Sequence, residues 1–392
     1  MGNMERILRL MAEKNASDVF ISADAPILIK INGNAVPVNP QLMTADTCLV
    51  LLRELVSEKQ MQELTYSGEL NSSFSLQGVG NYRVSAMRQR GTYAATIRSI
   101  PATIPALDTL GLPTKKLSEL IMRQRGLILM VGATGSGKST SLAAMLDLRN
   151  ANVAGHMLTI KDTIEYVFKN KRSIINQREI GSDTLDRDIA LKNAMRQAPD
   201  VIMISEIRDR ETMSAALAYA QSGHLCLSTL HASNSYQALS RILSFYPEEV
   251  RPSLLGDLSS GLAAIISQRL LRTVDGKRLP ACEILLNSKL ISELVEEGNF
   301  MGVKDAMSKS MTEGSQTFEE DIARLIIEGK VSRQEGLMCA DSPTNLMWRL
   351  QNTQPTQKTE SEDNTGREEP SFSEITLDMG RLTRASCYFF AP

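Results

Sequence analysis

A glycine-rich segment that ends in Lys-Ser-Thr has the residue types and spacing of a phosphate-binding loop. Residues 132–140 match the pattern G-x-x-x-x-G-K-[ST], with an apolar run before them and a predicted helix, 141–148, after them. A strand, a glycine loop and a helix N-terminus together cradle an anion, because backbone N–H groups and the helix dipole converge on it. The lysine of such a loop reaches the outer phosphates of a nucleotide, and the serine after it holds Mg²⁺. The residues predicted to contact the nucleotide are Gly132, Ala133, Thr134, Gly135, Ser136, Gly137, Lys138, Ser139 and Thr140.

Acidic residues follow two further apolar segments and could complete a nucleotide site. The strand-like segment 202–205 ends in Glu206, a pattern typical of the acid that organises Mg²⁺ beside a phosphate loop. Asp162 and Glu165 follow the apolar segment 157–160, and open α/β sheets bind ligands just beyond the carboxyl ends of their strands. We therefore expect Glu206 beside the metal. Asp162 and Glu165 either join the site or are surface acids in a loop.

Two of the three histidines bracket one predicted strand. His224 and His231 stand at the two ends of the apolar segment 225–230. Because they are seven residues apart in a strand, their side chains point to opposite faces, which argues against a metal site that uses both. Each histidine could have a functional role as a polar side chain at one end of the buried strand, or could hydrogen-bond a neighbouring loop in a structural role.

The composition favours a soluble intracellular protein. The 392 residues include 43 basic and 45 acidic ones, so no overall charge favours nucleic acid or an anionic membrane. The five cysteines are scattered and form no C-x-x-C pair, which fits a reducing compartment better than a disulfide or zinc scaffold. No apolar run approaches the roughly 18 residues of a membrane span, and the N-terminus lacks a signal-peptide core.

The pattern of apolar segments predicts an α/β protein with two domains and a tail. Residues 1–100 read as a small α+β unit, and prolines mark a linker over 101–116. Strands then alternate with helices over 117–345, which is typical of a largely parallel sheet, and the later part, 236–345, reads as mostly helical. A polar composition predicts a disordered tail over 346–392. The strands expected in the second domain are 127–131, 157–160, 173–176, 201–205 and 224–229.

Five motifs occur in order along the chain. They are GATGSGKST (132–140), LTIKDTIEYV (158–167), INQREIG (175–181), ALKNAMRQAPDVIMISEIRD (190–209) and SGHLCLSTLHASN (222–234). Together they resemble the type II/IV secretion ATPase superfamily, and specifically the pilus retraction ATPases of twitching motility. The first resembles the family's Walker A loop, the next two its Asp box, and the last two its Walker B segment and His box. The segment 302–326 and the polar tail are more similar to the accessory type of retraction ATPase.

The resemblance implies a homohexamer that hydrolyses ATP to power pilus retraction at the cytoplasmic face of the inner membrane. Each subunit would have a PAS-like N-terminal domain and a RecA-like P-loop domain, with ATP and Mg²⁺ between them. By matching position, Glu165 would activate water, Glu206 would be the Walker B acid with Ser139 at the metal, and His224 and His231 would be the His-box residues. The implied partners are the main retraction ATPase and an inner-membrane platform protein, with no nucleic acid.

Three other functions are compatible with parts of the sequence. The chain could be an ATP-binding adaptor that stacks on the main motor and hydrolyses little ATP, or a pilus-assembly or secretion ATPase. Assembly motors of the superfamily usually carry a four-cysteine zinc insertion, and the five cysteines here form no such cluster. A nucleic-acid translocase is disfavoured by the near-zero net charge and by the lack of an interleaved basic and aromatic stretch.

Two arginines of the first domain are candidates for phosphate contacts. If Arg90 and Gly91 form the tip of a two-residue hairpin, Arg83 lies opposite Arg98. Directly opposed arginines repel each other unless an anion lies between them, and a phosphate would satisfy both. The hypothesis is that Arg83 and Arg98 bind ATP phosphates. The alternative is that both are solvated and splay apart.

The second motif departs from the family pattern. Where the family usually reads Glu-Asp-Pro-Ile-Glu, this chain reads Lys161-Asp162-Thr163-Ile164-Glu165. The loop loses a stiffening proline, and an ammonium close to Glu165 makes its carboxylate a weaker base. We therefore expect slow ATP hydrolysis by the protein alone, with a faster rate beside the main motor.

Overall fold

The amino-terminal part of the chain is a six-stranded antiparallel sheet with three helices. The computed structural model describes residues 2–31, 33–100, 103–309 and 314–353. The first elements are α1 (Asn3–Glu13), β1 (Asp18–Ile21), β2 (Leu28–Ile31), β3 (Asn34–Pro37), α2 (Ala45–Arg53), α3 (Glu58–Ser67), β4 (Glu69–Leu76), β5 (Gly80–Gln89) and β6 (Thr92–Ile100). Their spatial order is β3-β2-β1-β6-β5-β4. This is the α+β unit that the sequence predicted.

One face of this sheet is buried beneath the helices. Along β5, Tyr82, Val84 and Ala86 are buried, while the residues between them are partly or fully exposed. This period of two is the pattern of a strand with one face on the core. Leu8 and Met11 of α1 pack into the same core, so β5 presents its other face to the second domain and to solvent.

The hairpin between β5 and β6 turns at Arg90 and Gly91. Both have positive φ, +44° and +77°, which is typical of the type I′ turn in a two-residue loop. The turn fixes the register, and Arg83 pairs directly with Arg98. The pairing predicted from the sequence is therefore confirmed.

The segment after the first sheet packs against the second domain. A 3₁₀ helix, Leu107–Leu110, precedes α4 (Thr114–Ile121). Leu107 and Leu112 are buried in a core cluster that belongs to the following domain. The described part of the predicted linker, 103–116, is therefore anchored by apolar contacts.

A seven-stranded sheet flanked by helices forms the second domain. Its elements are β7 (Gly126–Val131), α5 (Lys138–Asn152), β8 (Gly155–Lys161), β9 (Ser173–Glu179), α6 (Arg187–Ala194), β10 (Val201–Ile204), α7 (Arg210–Gln221), β11 (Leu225–Leu230), α8 (Ser235–Ser244), α9 (Arg251–Gly261), β12 (Leu262–Arg272), β13 (Arg278–Leu286), α10 (Lys289–Glu296), α11 (Phe300–Ser308), α12 (Phe318–Ile327), α13 (Arg333–Cys339) and α14 (Pro343–Thr353). The spatial order is β13-β12-β7-β11-β10-β8-β9. All neighbouring pairs are parallel except β12 with β13. None of the helices in the described part of the chain has the length and apolar character that a membrane span requires.

The five strands predicted in this domain are present as β7 to β11, but a hairpin was not predicted. Strands β12 and β13 interrupt the region 236–345, which reads as mostly helical in the sequence. Both strands are buried along most of their length. A strand that is buried on both faces shows no alternation of apolar and polar residues, so its sequence resembles that of a buried helix.

Helix α14 runs past residue 345, where the sequence predicted the domain to end. Leu346 is fully buried and Leu350 is 8% exposed. Both belong to a cluster that contains Leu271 of β12 and Phe318 of α12. These two leucines, four residues apart, explain why the domain extends through this helix. The rest of the predicted tail, 354–392, lies outside the described residues.

Truncation of Leu346 should destabilise the domain. Leu346→Ala leaves a cavity in the cluster and should lower the free energy of unfolding by about 2–5 kcal/mol. Met338 on the neighbouring helix α13 is 76% exposed, so Met338→Ala should change stability by no more than about 0.5 kcal/mol. Denaturant unfolding of the full-length variants measures both effects. Equally small losses would show that α14 does not contribute to the core.

Candidate active site

The carboxyl ends of the parallel strands bring the sequence motifs together. The glycine loop follows β7, the Asp-box acids follow β8, Glu206 follows β10 and His231 follows β11. Parallel strands end at the same edge of a sheet, so these loops meet there. Between them lies a cavity of about 580 Å³ that also contains Arg83 from the amino-terminal domain. The candidate residues that line it are Arg83, Thr134, Gly135, Gly137, Lys138, Ser139, Thr140, Asp162, Glu165, Glu206 and His231.

A second cavity of about 630 Å³ shares the glycine loop with the first. It is lined by Gly132, Ala133 and Ser136, and by Gln268 and Arg269 of β12. Every one of the nine predicted loop residues therefore lines one cavity or the other. The two cavities together provide room on both flanks of the loop.

Two glycines of the loop have no room for a side chain. Gly132 and Gly137 have φ of +151° and +92°. A Cβ at Gly132 would lie 2.5 Å from the carbonyl oxygen of Gln268, and one at Gly137 would lie 2.6 Å from the Nε2 atom of Gln268. Strand β12 thus approaches the loop so closely that only glycine fits at these positions.

Gln268 ties the glycine loop to the neighbouring strand. Its Nε2 donates to the carbonyl of Ser136 at 2.7 Å, and its Oε1 accepts from the Ser141 hydroxyl at 2.7 Å. The side chain is almost fully buried, so both of its polar atoms are satisfied by the loop and by α5. Gln268 is absent from the predicted site. In the sequence it stands in a polar Ser267-Gln268 pair within an apolar segment.

Lys138 is held by carbonyl groups of its own loop. Its Nζ donates to the carbonyl oxygens of Gly132 and Ala133 at 2.7 and 2.8 Å. Burial lowers the pKa of Lys138, and the carboxylates of Glu206 and Glu165 oppose that shift. The ammonium therefore lies at the N-terminus of α5 with weak neutral acceptors, where a phosphate oxygen is a stronger acceptor.

Glu165 forms an ion pair with Lys161. The Nζ atom of Lys161 lies 3.2 Å from Oε2 of Glu165. The Lys161 side chain is 7% exposed, whereas that of Glu165 is 47% exposed. The cation that the sequence placed near Glu165 is thus in direct contact with it, and the carboxylate still reaches solvent in the cavity.

The other two acids of the site are paired with cations. Oδ1 of Asp162 lies 2.5 Å from Nη2 of Arg187. Glu206 binds Arg208 through Oε2 at 2.7 Å and His231 through Oε1 at 3.2 Å. The hydrogen bond to Glu206 is the main reason that the pKa of Arg208 is raised. Glu206 and His231, predicted from separate motifs, are therefore direct neighbours.

His224 lies at the other end of β11, away from the cavity. Its Nδ1 is 3.1 Å from the Ser222 hydroxyl and 3.3 Å from the Tyr219 carbonyl. The structure therefore brings His231 to the site and leaves His224 in a local hydrogen-bond network. No group of three or more His, Cys, Asp and Glu side chains within the described ranges could hold a metal ion without further ligands.

Arg83 and Arg98 have different surroundings despite their pairing. Arg83 lines the first cavity, whereas Nε of Arg98 donates to Oδ1 of Asp18 at 2.7 Å. Asp18 is buried and pairs with Arg98 across β1 and β6. An anion does accompany one of the two opposed arginines, but it is a carboxylate from a third strand. The structure brings Arg83 to the site and does not bring Arg98 there.

Comparison with known proteins identifies relatives along most of the chain. The family model described as "Type II/IV secretion system protein" matches residues 3–369. The chain is similar to the type IV pilus ATPase PilU of Pseudomonas aeruginosa, with 43% identity over 343 residues that cover 87% of this chain and 90% of the relative. It is also similar to the type IV pilus retraction ATPase PilT of that organism, with 34% identity over 346 residues that cover 88% and 100%.

A solved structure shares the fold of most of the chain. The crystal structure of the pilus retraction motor PilT with bound ADP superimposes with a TM-score of 0.82 at 38% sequence identity. The match covers 89% of this chain and 99% of that one, which confirms the predicted α/β fold class. The motifs, the cavity that they form and these matches lead to one conclusion: the chain belongs to the type II/IV secretion system protein family.

Proposed function

We propose that this protein is an ATP-hydrolysing motor that powers type IV pilus retraction and twitching motility. One observation carries the proposal: the end of the glycine loop, 138–140, lines a single cavity together with Glu165 and Glu206. A phosphate loop, an acid that organises the metal and a group that orients the attacking water are the parts that ATP hydrolysis needs. The similarity to PilU and PilT supports the pilus as the structure on which the motor acts.

The phosphates of ATP bind at the N-terminus of α5. Backbone N–H groups of the glycine loop and the ammonium of Lys138 supply the positive field. The residues present fit Mg²⁺, which prefers one or two carboxylates together with substrate phosphates, because the Ser139 hydroxyl and Glu206 line the same cavity. The ion would supply charge neutralisation on the phosphates. Arg83 adds a cation from the amino-terminal domain, whereas a role for Arg98 requires its ion pair with Asp18 to break.

Glu165 is the group that accepts a proton from the attacking water. Its side chain is about half exposed within the cavity, so water reaches it beside the phosphate loop. Lys161 occupies Oε2 of the carboxylate, which leaves Oε1 for the water. The ammonium competes with water for this carboxylate, and we propose that the ion pair slows hydrolysis when the protein acts alone.

The same ion pair supports a second candidate function. In an ATP-binding adaptor that stacks on the main retraction motor, Lys138 and the glycine loop would bind nucleotide while Glu165 contributes little turnover. Direct contact between Lys161 and Glu165 supports this alternative, because it is consistent with low turnover. Both candidates use the same binding site and differ in the rate of the chemical step.

The assembly proposed for either candidate is a homohexamer at the cytoplasmic face of the inner membrane. Within each copy, a PAS-like domain (1–100) and a RecA-like domain (from 117) enclose the nucleotide. The partners are the main retraction ATPase and an inner-membrane platform protein, with no nucleic acid. Family membership and the likeness to the PilT motor support this arrangement.

Replacement of Glu165 by Gln should remove hydrolysis and keep nucleotide binding. Glutamine has the size of glutamate but cannot take the proton, and a general base contributes about 10²- to 10⁴-fold, so kcat should fall by at least about 10²-fold. ADP affinity should stay unchanged. Phosphate release measures kcat, and nucleotide titration measures the ADP affinity. Glu249→Gln, at an exposed position, is the matched control. In cells, loss of retraction supports a motor, and retained retraction supports an adaptor.

Removal of the Lys161 charge should accelerate hydrolysis. Lys161→Glu restores the acid usual in the family and frees Glu165, and the rate should rise about two- to tenfold, as expected for loss of a partly exposed ion pair. Lys161→Gln should act in the same direction. Lys169→Glu makes the same charge change at an exposed residue and should have no effect. A wild-type protein that turns over rapidly alone and no faster with Lys161→Glu would contradict the proposed restraint.

A strain without the protein should carry abundant surface pili and fail to twitch. A retraction motor acts after the pilus has formed, so its loss leaves assembly intact. Electron microscopy of surface pili and a twitching assay score the two phenotypes. Loss of the pili themselves would instead support an assembly ATPase. Complementation with the wild-type chain controls for effects on neighbouring genes.

A further inference from the structure

A buried carboxylate lies where the two domains meet, next to the candidate catalytic loop. Glu179 is the last residue of β9, and only 2% of its surface is exposed. Within the described part of the chain it forms no ion pair with a lysine, arginine or histidine. A buried charge without a counter-charge depends on its hydrogen bonds, so the partners of Glu179 decide what it does.

One oxygen of Glu179 accepts hydrogen bonds from both domains. Oε2 accepts from the backbone N–H of Ile164 at 2.8 Å and from the hydroxyl of Ser73 at 2.8 Å. Ile164 immediately precedes Glu165 in the Asp-box loop, and Ser73 lies on β4 of the amino-terminal sheet. Oε1 receives a longer contact from the Ser182 hydroxyl, at 3.4 Å.

Ser73 is in register with the arginine that lines the cavity. Strands β4 and β5 pair Ser73 directly with Arg83. Two residues opposite each other in an antiparallel ladder move together, because the backbone hydrogen bonds fix their separation. Any motion of the sheet that changes the distance of Arg83 from the nucleotide therefore also changes the distance of Ser73 from Glu179.

We infer that Glu179 is a positioning residue that couples the placement of the amino-terminal domain to the orientation of Glu165. The inference rests on the proposed ATPase function. When Arg83 contacts the phosphates, the Ser73 hydroxyl donates to Oε2 of Glu179. This carboxylate then also holds the backbone of Ile164, which fixes the conformation of the loop that carries Glu165. When the sheet moves away, the carboxylate loses a charge-assisted bond in a buried setting, and the loop that carries Glu165 loses part of its support.

The test compares Ser73→Ala with Ser75→Ala in the full-length protein. Ser75 is on the same strand and the same face but is exposed, and its hydroxyl bonds Asn81. Ser73→Ala should reduce kcat about tenfold, the order expected for loss of a hydrogen bond to a charged group. The ADP affinity should change less than about twofold, because Ser73 does not line the nucleotide cavity. Ser73→Thr keeps the hydroxyl and should restore kcat. Ser75→Ala should match the wild type.

A double-mutant cycle tests whether Ser73 and Arg83 act as one unit. Arg83→Ala should lower kcat by itself. If both residues act through the same sheet, the combined variant should lose less than the product of the two single losses. Full multiplicativity, or equal loss of kcat in Ser73→Ala and Ser75→Ala, would overturn the inference. A parallel fall in ADP affinity and melting temperature would also do so, because it would indicate a structural role alone.

Amide exchange supplies a readout that does not depend on turnover. ADP with Mg²⁺ should slow exchange of the segment 161–168 in the wild type. This protection should be lost in Ser73→Ala and weakened in Glu179→Gln, whose amide oxygen still accepts hydrogen bonds but carries no charge. If the wild type binds ADP and hydrolyses no ATP, the proposed motor function fails while this measurement still decides the coupling. If the protection survives in both variants, the coupling is wrong even where the wild type is an active ATPase.

Discussion

The parallel register of four central strands decides where chemistry can occur in this molecule. Val201 of β10 pairs with Leu225 of β11 and with Met157 of β8, and Leu225 pairs with Gly126 of β7. In this register the four strands end nearly level, so the loops after them are confined to one edge of the sheet. Residues of the glycine loop, Glu165 and Glu206 are far apart in the sequence and therefore reach the same cavity only through the fold.

The sequence could predict those parts of the site whose geometry is local. A glycine loop before a helix and a two-residue hairpin turn each determine their own conformation, and the register of Arg83 with Arg98 follows from the turn alone. The hydrogen-bond partner of Arg98 is Asp18, which lies on a strand eighty residues earlier in the chain. Gln268 likewise acts on a loop far before it in sequence. Contacts of this kind arise from tertiary packing, and no local pattern encodes them.

The missed hairpin and the missed end of the domain have a shared physical cause. Strand β12 lies between β7 and β13 with both faces covered, so the alternation that marks a strand is absent. Helix α14 contributes Leu346 and Leu350 to the core cluster, whereas the apolar Met347 and Trp348 between them are exposed. In both cases the structure of the segment depends on which neighbouring elements cover it. The amino-acid composition does not reveal those neighbours.

Burial explains why the ion pair of Lys161 persists in the site. The last residue of β8 points its side chain into the protein, where 7% of it is exposed, and an ammonium in that position needs an anion nearby. Asp162 is already held by Arg187, and Glu206 by Arg208 and His231. Glu165 is the remaining acid of the cavity and the most exposed of the three. The most exposed acid of the cavity is thus also the one on which a buried cation depends, so in the proposed mechanism hydrolysis and charge balance compete for the same carboxylate.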